Sequence, residues 1–386
     1  MKEFRETFPR IAIVHEWFTG MRGGEKCVEA LCELFPQATL YTLVHVHGSV
    51  SETIEQMPIH TSFIQRVPFA RTRYRHYLPL FPLAVERFDL RGYDIVISSH
   101  HAVAKGVKTD PTTLHICYCH TPMRYIWHLY DDYFGAGKAS TFTRTAMRLC
   151  VGYLRRWDVR TARNPHHFIA NSQNVRRRIL ELYQRDAAVI YPPVDTARFR
   201  PAAAGDQYFL IVSALVPYKR IDLAIEAFNH SGEQLLIIGD GPERERLRSL
   251  AAPNISFLGW QPDDALVEYY ANCKALIFPG EEDFGIVPVE AMASGKPVIA
   301  YAKGGALETV IDTPTLKTGV LFAQQTKEAL HEAIERFKQT SFSPDLLRRH
   351  ALQFDRSVYK QKMASFIMKE WERFRYHSSH LVPQER

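Results

Sequence analysis

Two carboxylates, Glu282 and Glu290, lie with seven residues between them in the stretch FPGEEDFGIVPVEAMASGKPVIA at 278–300. An ionised carboxylate only accepts hydrogen bonds, so such a pair suits the vicinal hydroxyl groups of a ribose or a sugar ring. Acidic residues also cap many surface helices, and the pair alone is compatible with either role. The context favours the first role. A strand ends at Pro279, an acidic loop follows, and a helix is predicted to open near Pro288.

The start of this predicted helix is a candidate anion site. Gly285, Ile286 and Val287 present backbone N–H groups there, and the glycine lets a ligand approach closely. The helix dipole favours a negative group at the same place, and a diphosphate suits it. Glu290 is expected in the first turn, and Phe284 is assigned to the same donor-binding loop. Together with the carboxylates, this predicts a site for a nucleotide sugar.

A second candidate anion contact lies in VSALVPYKRIDLAIEAF at 212–228. Lys219 and Arg220 fall between a predicted strand and an amphipathic helix, where they can neutralise a departing diphosphate. Ser213, near the end of the same strand, is assigned to donor binding with them. A solvated surface loop is the alternative for this pair of cations.

The first half of the chain carries a glycine-rich loop in IAIVHEWFTGMRGGEKCVEAL at 11–31. Gly23 and Gly24 precede a predicted helix and allow close approach of a phosphate or a sugar, with Arg22 as an anion contact. The pattern is not GxGxxG, so the dinucleotide-binding fingerprint is not met.

His120 ends a predicted strand in CYCHTPMRYIW at 117–127, immediately before a Thr-Pro pair. A lone histidine is more often structural than functional, and the residues alone do not decide its role. His100 and His101 follow another strand and are candidates for acceptor contact or for satisfied loop histidines. Three further candidates for the acceptor site are Arg124, Tyr125 and Trp127.

Composition and charge narrow the class of protein. Hydrophobic residues make up 46% and charged residues 23% of the 386, which is typical of a globular protein. No apolar run approaches the roughly 20 residues of a membrane span, and the polar opening predicts no signal peptide. The six cysteines form no CxxC pair, which predicts reduced thiols and a cytoplasmic location.

The charge is unevenly distributed. Residues 1–200 hold 27 Lys and Arg against 18 Asp and Glu, a balance of +9, and the remainder holds 21 against 24, a balance of −3. The basic first half predicts an anionic partner, either a membrane surface or a phosphorylated substrate. Two basic, aromatic-rich segments, 70–88 and 143–164, are interpreted either as amphipathic helices on an anionic membrane or as solvated helices. Nucleic acid is not an expected partner, because no nucleic-acid motif accompanies the basic residues.

The order of predicted elements along the chain is typical of an α/β protein. Nearly continuous apolar strands alternate with amphipathic stretches, which predicts parallel sheets covered on both faces. The predicted strands are 11–15, 94–99, 114–120, 167–172, 188–195, 208–215, 234–241, 255–260, 275–280 and 297–302.

The segment 196–207 follows a Pro-Pro turn, lacks helical periodicity and precedes a new strand, which predicts the domain boundary there. The chain should therefore comprise two Rossmann-like domains whose sheets face a central cleft. The predicted ranges are 1–195 for the acceptor domain, 206–365 for the nucleotide-sugar domain, and 366–386 for a C-terminal helix and tail crossing back to the first domain.

The run EDFGIVPVEAMASGKPVIA at 282–300 resembles the E-x7-E signature of the retaining GT-B glycosyltransferases, particularly glycosyltransferase family 4. The match continues through Gly304 and Gly305. The stretches HEWFTGMRGGEK and SALVPYKRID are similar to those of bacterial mannosyltransferases of polysaccharide and O-antigen assembly.

This resemblance implies roles for the candidate residues. It places Glu282 and His120 against the donor sugar, Glu290 on the ribose hydroxyls, and Lys219 against the donor diphosphate, so that His120, Glu282 and Lys219 are the catalytic candidates. The segment around Gly259 is implied to cup the nucleobase, and the glycine loop to lie over the diphosphate. The chain departs from the family at Ala214, where an arginine is usual, and Arg220 is the expected replacement.

The implied activity is retaining transfer of a hexose to a glycan or a lipid-linked oligosaccharide at the inner face of the cell membrane. The donor is expected to be GDP-mannose, with a UDP-linked sugar as the alternative. The resemblance implies no required cofactor or metal, and the sequence agrees: no DxD occurs in a suitable loop, and Asp131-Asp132 lies in a helical aromatic stretch. A non-hydrolysing nucleotide-sugar epimerase and an inactive scaffold domain are the other classes compatible with this architecture.

Overall fold

The computed structural model describes residues 10–128, 130, 141–201 and 207–381. Asp131 and Asp132 lie outside these described residues. The chain divides into two compact units, here called the first unit (Met1–Pro193 and Tyr359–Arg386) and the second unit (Val194–Val358). The first division falls two residues before the predicted one at 195, and the return to the first unit begins at Tyr359 rather than at 366.

The first unit contains a seven-stranded sheet in the order β3-β2-β1-β4-β5-β6-β7, with every pair of neighbours parallel. Its strands are β1 (Ile11–Phe18), β2 (Thr39–His45), β3 (Ile59–Thr61), β4 (Ile95–His100), β5 (Leu114–Cys119), β6 (His167–Ala170) and β7 (Ala187–Val189).

The described helices of the first half are α1 (Gly23–Leu34), α2 (Glu52–Glu55), α3 (Ala70–Arg73), α4 (Phe81–Val85), α5 (Thr141–Thr161) and α6 (Gln173–Tyr183), with 3₁₀ helices at Phe63–Arg66, Tyr74–Leu80 and Ala104–Gly106.

The second unit contains a six-stranded parallel sheet in the order β10-β9-β8-β11-β12-β13. Its strands are β8 (Tyr208–Val212), β9 (Leu235–Ile238), β10 (Ile255–Gly259), β11 (Cys273–Phe278), β12 (Val298–Tyr301) and β13 (Gly319–Phe322). Its helices are α7 (Ile221–Ser231), α8 (Arg244–Leu250), α9 (Asp263–Asn272), α10 (Ile286–Ala293), α11 (Ala306–Thr309), α12 (Lys327–Lys338) and α13 (Pro344–Ala351), with 3₁₀ helices at Pro217–Lys219 and Leu352–Phe354.

A last helix, α14 (Arg356–Leu381), continues from the second unit into the first. Its residues Met363 and Ile367 are buried in the core that the first sheet builds from β1 and β4. The predicted helical pattern over 344–376 is therefore two helices, separated at Asp355.

Both sheets have the Rossmann arrangement, in which the first strand of the unit lies between its second and its fourth. The chain reverses its direction of winding at this point, so the loops after these strands diverge and leave a crevice at their carboxyl ends. The glycine loop follows β1 in the first unit, and the Lys219 loop follows β8 in the second. The fold thus places the candidate residues at the edge where α/β proteins bind ligands.

The ten predicted strands are present, but β2, β3 and β13 were not predicted. Strand β2 reads TLYTLVH and includes polar residues, so it lacks the continuous apolar run of its neighbours. Strands β3 and β13 are short and lie at sheet edges, where fewer apolar contacts are required.

The prediction of one amphipathic helix over 70–88 is wrong. The segment is broken into α3, the 3₁₀ helix Tyr74–Leu80 and α4, because Pro79 and Pro82 each remove a backbone donor. The second basic segment does form a helix, α5. Among the residues that the structure describes, no helix combines the length and the apolar character needed to cross a bilayer.

All six cysteines are free, as predicted; five of them are buried and Cys150 is partly exposed.

Candidate functional site

In the second unit, the Lys219 ammonium contacts the Glu282 carboxylate directly. Lys219 ends the 3₁₀ helix after β8, and Glu282 lies in the loop after the neighbouring strand β11. Gly280 makes this approach possible, since a Cβ there would lie 2.8 Å from the Lys219 Cα atom. The structure therefore brings together two of the three predicted catalytic residues.

Arg220 follows in the left-handed conformation, with φ of 52°. Its Nε donates to Asp222 at 3.3 Å and its Nη1 to the side-chain oxygen of Gln325 at 3.1 Å. Gln325 in turn donates to the Pro279 carbonyl at 2.8 Å. The guanidinium thus ties the Lys219 loop to the loop after β11, while Ala214 is exposed. Replacement of the missing arginine by Arg220 stays a prediction.

Helix α10 begins at Ile286, two residues before the predicted start, so Pro288 is its third residue. Gly285 precedes the helix with φ of 89°, a conformation that favours glycine. Ile286 and Val287 then supply the first backbone N–H groups, which have no acceptor within the helix. This helix start has the features expected of an anion site.

Glu290 lies in the second turn of α10, not the first, because the helix starts earlier than expected. Its side chain is buried, and Oε2 accepts a hydrogen bond of 2.8 Å from the hydroxyl of Tyr270. Burial, followed by the charge of Glu290, raises the pKa of Tyr270 well above its ordinary value. The phenol therefore stays a donor and holds Glu290 in one orientation.

The glycine turn at Gly304 and Gly305 packs on the backbone of the acidic loop. Gly304 pairs with Glu282 as a parallel bridge, and the Gly305 N–H donates to the Glu282 carbonyl at 2.8 Å. A Cβ on either glycine would lie 2.3 Å from this loop, at the Glu282 carbonyl oxygen or at Phe284. The turn therefore fixes the backbone that carries Glu282.

The remaining candidates of the second unit surround this centre. Ser213 lies after β8, and its hydroxyl donates to the Ala214 carbonyl at 3.1 Å. Gly259 ends β10 with φ of 71°, and its carbonyl accepts from Gly239 at 2.8 Å. The Phe284 ring is buried against Phe354, so it packs in the protein core and leaves only its backbone to a ligand.

In the first unit, His120 lies directly after β5, and its Nε2 is 2.9 Å from the Ser99 hydroxyl. The same hydroxyl is 3.0 Å from Nδ1 of His15. Burial lowers the pKa of His120 well below its ordinary value, and the neighbouring His101 and His15 lower it further. His120 is therefore a neutral imidazole at neutral pH.

Glu16 lies on β1 next to His15 and is completely buried. Its Oε1 accepts hydrogen bonds of 2.9, 2.9, 3.1 and 3.1 Å from the backbone N–H groups of residues 101–104. Burial alone would raise its pKa, but the charge of His101 and the hydrogen bonds of His100 and His101 hold the pKa well below the ordinary value. Glu16 thus caps the loop after β4 as a carboxylate.

The glycine loop ends where α1 begins at Gly23. Arg22 is exposed, and its backbone N–H donates to Oε2 of Glu25 at 3.1 Å. Gly24 faces two histidines: a Cβ there would lie 3.2 Å from His15 Cε1 and 3.7 Å from His120 Nε2. The lack of a side chain at Gly24 lets the start of α1 approach the imidazoles.

The other candidates of the first unit have different surroundings. His100 is completely buried, which favours the structural alternative for this residue over acceptor contact, whereas His101 is partly exposed with Nδ1 2.9 Å from Glu16 Oε2. Trp127 donates to Asp158 at 2.8 Å, and Arg124 and Tyr125 are partly buried beside it in the chain.

Two groups of side chains in the described ranges bring histidine nitrogens and carboxylate oxygens within 4.8 Å of one another; they are His15, Glu16, His101 and His45, His47, Glu55. In the first, Ser99 and four backbone N–H groups already occupy His15 Nδ1 and Glu16 Oε1. In the second, Glu55 pairs with both histidines, at 3.2 and 3.0 Å. Hydrogen bonds therefore explain why the side chains of both groups lie close together.

Sequence reasoning missed four residues of these sites: His15, Glu16, Ser99 and Tyr270. A His-Glu pair inside an apolar strand is an unusual placement for ionisable residues, and it could have indicated a buried polar network. Nothing in the sequence around Ser99 or Tyr270 distinguishes them from ordinary strand and helix residues, because their partners lie far away along the chain.

Two family models match the chain. Residues 21–198 match the model described as Glycosyltransferase Family 4, and residues 194–352 match the model described as Glycosyl transferases group 1. The two matches meet at the division between the units.

Curated relatives match in part. An uncharacterized glycosyltransferase of Methanocaldococcus jannaschii is 34% identical over 155 residues, covering 39% of this chain and 44% of its own length. A GDP-mannose-dependent alpha-(1-6)-phosphatidylinositol monomannoside mannosyltransferase of Mycobacterium tuberculosis is 32% identical over 195 residues, covering 42% and 50%. The chain thus spans about half the length of the curated relatives it matches.

Among solved structures, an Anabaena protein in complex with UDP and glucose superimposes with a TM-score of 0.65. It is 18% identical, and the match covers 94% of this chain and 99% of that one. The likeness extends over both units and shows the fold. The chain therefore has the GT-B fold, with residues 21–198 similar to Glycosyltransferase Family 4 and residues 194–352 similar to the glycosyl transferases group 1.

Proposed function

We propose that this chain is a retaining glycosyltransferase that moves a hexose from a nucleoside diphosphate sugar to a hydroxyl group of a glycan or a lipid-linked oligosaccharide. The observation that carries the proposal is the contact between Lys219 and Glu282, four residues before the start of α10. It combines a cation, a hydroxyl-binding carboxylate and a helix N-terminus within one loop pair. A nucleotide sugar presents the matching diphosphate and hydroxyl groups.

In the proposed reaction, the main contribution of the protein is electrostatic stabilisation. Breaking the bond between the sugar and the diphosphate leaves negative charge on the phosphate oxygens, which Lys219 and the N–H groups of 285–287 stabilise. Glu282 accepts from the sugar hydroxyls and Glu290 from the ribose. We propose that His120 contacts the donor sugar, and that attack from the leaving-group face retains the anomeric configuration.

We propose GDP-mannose as the donor. The mycobacterial relative is named as GDP-mannose-dependent, and its matched region is 32% identical to this chain. The alternative is a UDP-linked sugar, since the Anabaena neighbour is in complex with UDP and glucose. Both nucleotides offer the same diphosphate and ribose to Lys219 and Glu290, so the base and the sugar decide between them.

A thermal-shift panel of GDP, UDP, ADP and their sugars tests the donor site. A ligand at 100 times its Kd should stabilise the protein by about 2.7 kcal/mol. We expect stabilisation by GDP and GDP-mannose, and its loss in Glu290→Gln with an unchanged midpoint of the ligand-free variant. Stabilisation by UDP alone contradicts the mannose assignment, and no response to any nucleotide contradicts the proposed function.

Product analysis separates transfer from the other activities of this architecture. Incubation of the donor alone should give no second sugar nucleotide, which a non-hydrolysing epimerase would produce. Incubation with a lipid-linked acceptor should give a glycosylated lipid with the donor's anomeric configuration. An inactive scaffold gives neither product.

We propose that the reaction requires no metal, because Lys219 and the helix N-terminus supply the positive charge that a cation would provide. Transfer should continue in EDTA at the rate measured with added Mg²⁺. Loss of activity in EDTA that Mg²⁺ restores contradicts this proposal.

We propose that the first unit meets the inner face of the cell membrane, where a lipid-linked acceptor resides. Phe69, immediately before the basic, aromatic-rich segment 70–88, is 71% exposed, and Leu149, within the segment 143–164, is 80% exposed. Apolar side chains among arginines favour an anionic interface. Co-sedimentation with vesicles containing phosphatidylglycerol should weaken in Phe69→Ser and at high salt. Equal binding to pure phosphatidylcholine vesicles contradicts the proposal.

A further inference from the structure

Three buried side chains form a continuous line in the first unit. The Ser99 hydroxyl lies between the imidazoles of His15 and His120, at 3.0 Å from His15 Nδ1 and 2.9 Å from His120 Nε2. His15 and Ser99 are buried, and His120 is 9% exposed. A single hydroxyl thus joins a candidate catalytic residue to a buried histidine without an assigned role.

The sheet register produces this line. His15 on β1 is the parallel partner of Ser99 on β4, so their side chains leave the sheet on the same face. His120 follows β5, and its backbone N–H donates to the His100 carbonyl at 2.8 Å. The three side chains therefore lie close together because their residues lie on, or directly after, neighbouring strands.

The line continues into the glycine loop. Oε1 of Glu25 lies 3.7 Å from Nε2 of His15, and Oε2 of the same carboxylate accepts from the Arg22 N–H at 3.1 Å. Gly24 closes the arrangement, because its bare Cα lies against the edges of both imidazoles. One carboxylate therefore spans from the backbone of the predicted donor loop to the buried imidazole.

We propose that Glu25, His15 and Ser99 form a positioning relay that fixes the tautomer and the orientation of His120, and couples them to the glycine loop. The inference rests on the proposed function, in which His120 contacts the donor sugar. His15, Ser99 and Glu25 are positioning residues in this scheme, since they act through His120 and not on the substrate.

The surrounding charges set the direction of the relay. Burial alone would lower the pKa of His15, but the Glu25 carboxylate and then Glu16 outweigh it and raise the pKa. The raised pKa favours the protonated form of His15, in which Nδ1 donates to the Ser99 oxygen and the Ser99 hydroxyl donates to Nε2 of His120. His120 then carries its single proton on Nδ1. The titratable groups facing the relay are Glu16, Glu25, His100 and His101.

A second serine on the same strand provides a matched control. Ser98 is buried next to Ser99, and its hydroxyl lies 2.9 Å from Nε2 of His115, on the other face of the sheet. Ser98→Ala therefore removes a buried serine–histidine hydrogen bond of the same length without touching His120. Ser99→Ala removes the relay and leaves the Ser98 pair intact.

The test compares the full chain and its variants by ¹⁵N NMR of histidine-labelled protein, with His120 assigned by its absence in His120→Gln. The wild type and Ser98→Ala should show His120 as the neutral Nδ1–H tautomer. Ser99→Ala should show a mixture of tautomers, and Glu25→Gln should shift the His15 signals. An unchanged His120 signal in Ser99→Ala overturns the relay. This readout needs no substrate, so it stands apart from a failure of the proposed function.

Kinetics with the donor identified by the panel provides the second readout. Ser99→Ala should lower kcat about tenfold, the effect of one ordinary hydrogen bond, with the donor KM changed less than twofold. Ser98→Ala should keep kcat within twofold. If Ser99→Ala does not fold, Glu25→Gln takes its place as the test variant, because Glu25 lies at the other end of the relay. The same changes in kcat and in the donor KM are then expected. A variant with an altered His120 tautomer and an unchanged kcat overturns the positioning role.

Discussion

The hydroxyl of Tyr270, a completely buried residue on α9, donates a 2.8 Å hydrogen bond to Oε2 of Glu290 on α10. The bond leaves this carboxylate little freedom to turn, so its second oxygen keeps a defined direction. A carboxylate held in this way is preorganised for a hydroxyl ligand, and binding requires less ordering of the side chain.

Replacing Tyr270 by phenylalanine keeps the ring and removes this bond. Leaving a buried acceptor without its partner costs about 1–3 kcal/mol, so the donor KM should rise about tenfold while kcat falls less. Tyr208→Phe is the control, because Tyr208 donates at 3.2 Å to the Tyr269 carbonyl in the same unit and does not contact Glu290. Steady-state kinetics measures both variants. Equal donor KM values for them contradict the prediction.

Loss of Lys219 should affect the chemical step most strongly. Lys219→Ala removes the cation that stabilises the leaving diphosphate, and the removal of one such donor typically lowers kcat by about 10²–10³. Lys303→Ala is the control, since Lys303 pairs with Glu281 at 3.0 Å and is mostly exposed. A drop of less than tenfold in Lys219→Ala would leave the charge stabilisation to other groups.

Arg220 is the residue through which the departure at Ala214 can be tested. If Arg220 supplies the missing positive charge, Arg220→Ala should raise the donor KM and lower kcat together. The variant also releases Asp222 and Gln325, so Gln325→Ala separates the loss of loop anchoring from the loss of charge. Unchanged kinetics in Arg220→Ala contradict the replacement.

A methyl group at Gly304 should disturb the Glu282 loop. A Cβ there would lie 2.3 Å from the Glu282 carbonyl oxygen at φ of 66°, so Gly304→Ala should cost about 1–3 kcal/mol of stability and reduce activity. Gly152→Ala is the control. Gly152 lies within α5 and a Cβ there would have no atom within 4 Å, so the substitution should stabilise the protein by up to about 1 kcal/mol. Urea unfolding measures both. Similar stabilities contradict the prediction.

Lys105 forms a buried ion pair with Asp158 at 2.7 Å, and both side chains have no exposed surface. Lys105→Met leaves Asp158 charged and buried, which should destabilise the first unit by about 3–5 kcal/mol. Lys108→Met breaks an ion pair with Glu86 in which Lys108 is 68% exposed, and should change stability by at most about 1 kcal/mol. A small effect of Lys105→Met in urea unfolding contradicts the assignment of this pair as a structural anchor.

The sequence determined the class of fold and much of the second-unit site. Continuous apolar strands between amphipathic helices are a local property, so they indicated parallel sheets and most of the strands without any tertiary information. The run from Glu282 to Glu290 is contiguous in the chain, and a glycine ahead of a helix start is itself a local anion-binding feature. Lys219 was identified for the same reason, from its place between a strand and a helix.

Only the tertiary structure decided which residues support these candidates. Tyr270 on α9 donates to Glu290 on α10, and Arg220 donates to Gln325, which lies 105 residues away in the sequence. The relay from His15 through Ser99 depends on the register of strands separated by 84 residues. Register and packing are set by the whole sheet and its cores, so a pattern read along the chain contains no record of them. The sequence thus identified the residues proposed to meet the donor, and the fold determined which groups hold them in place.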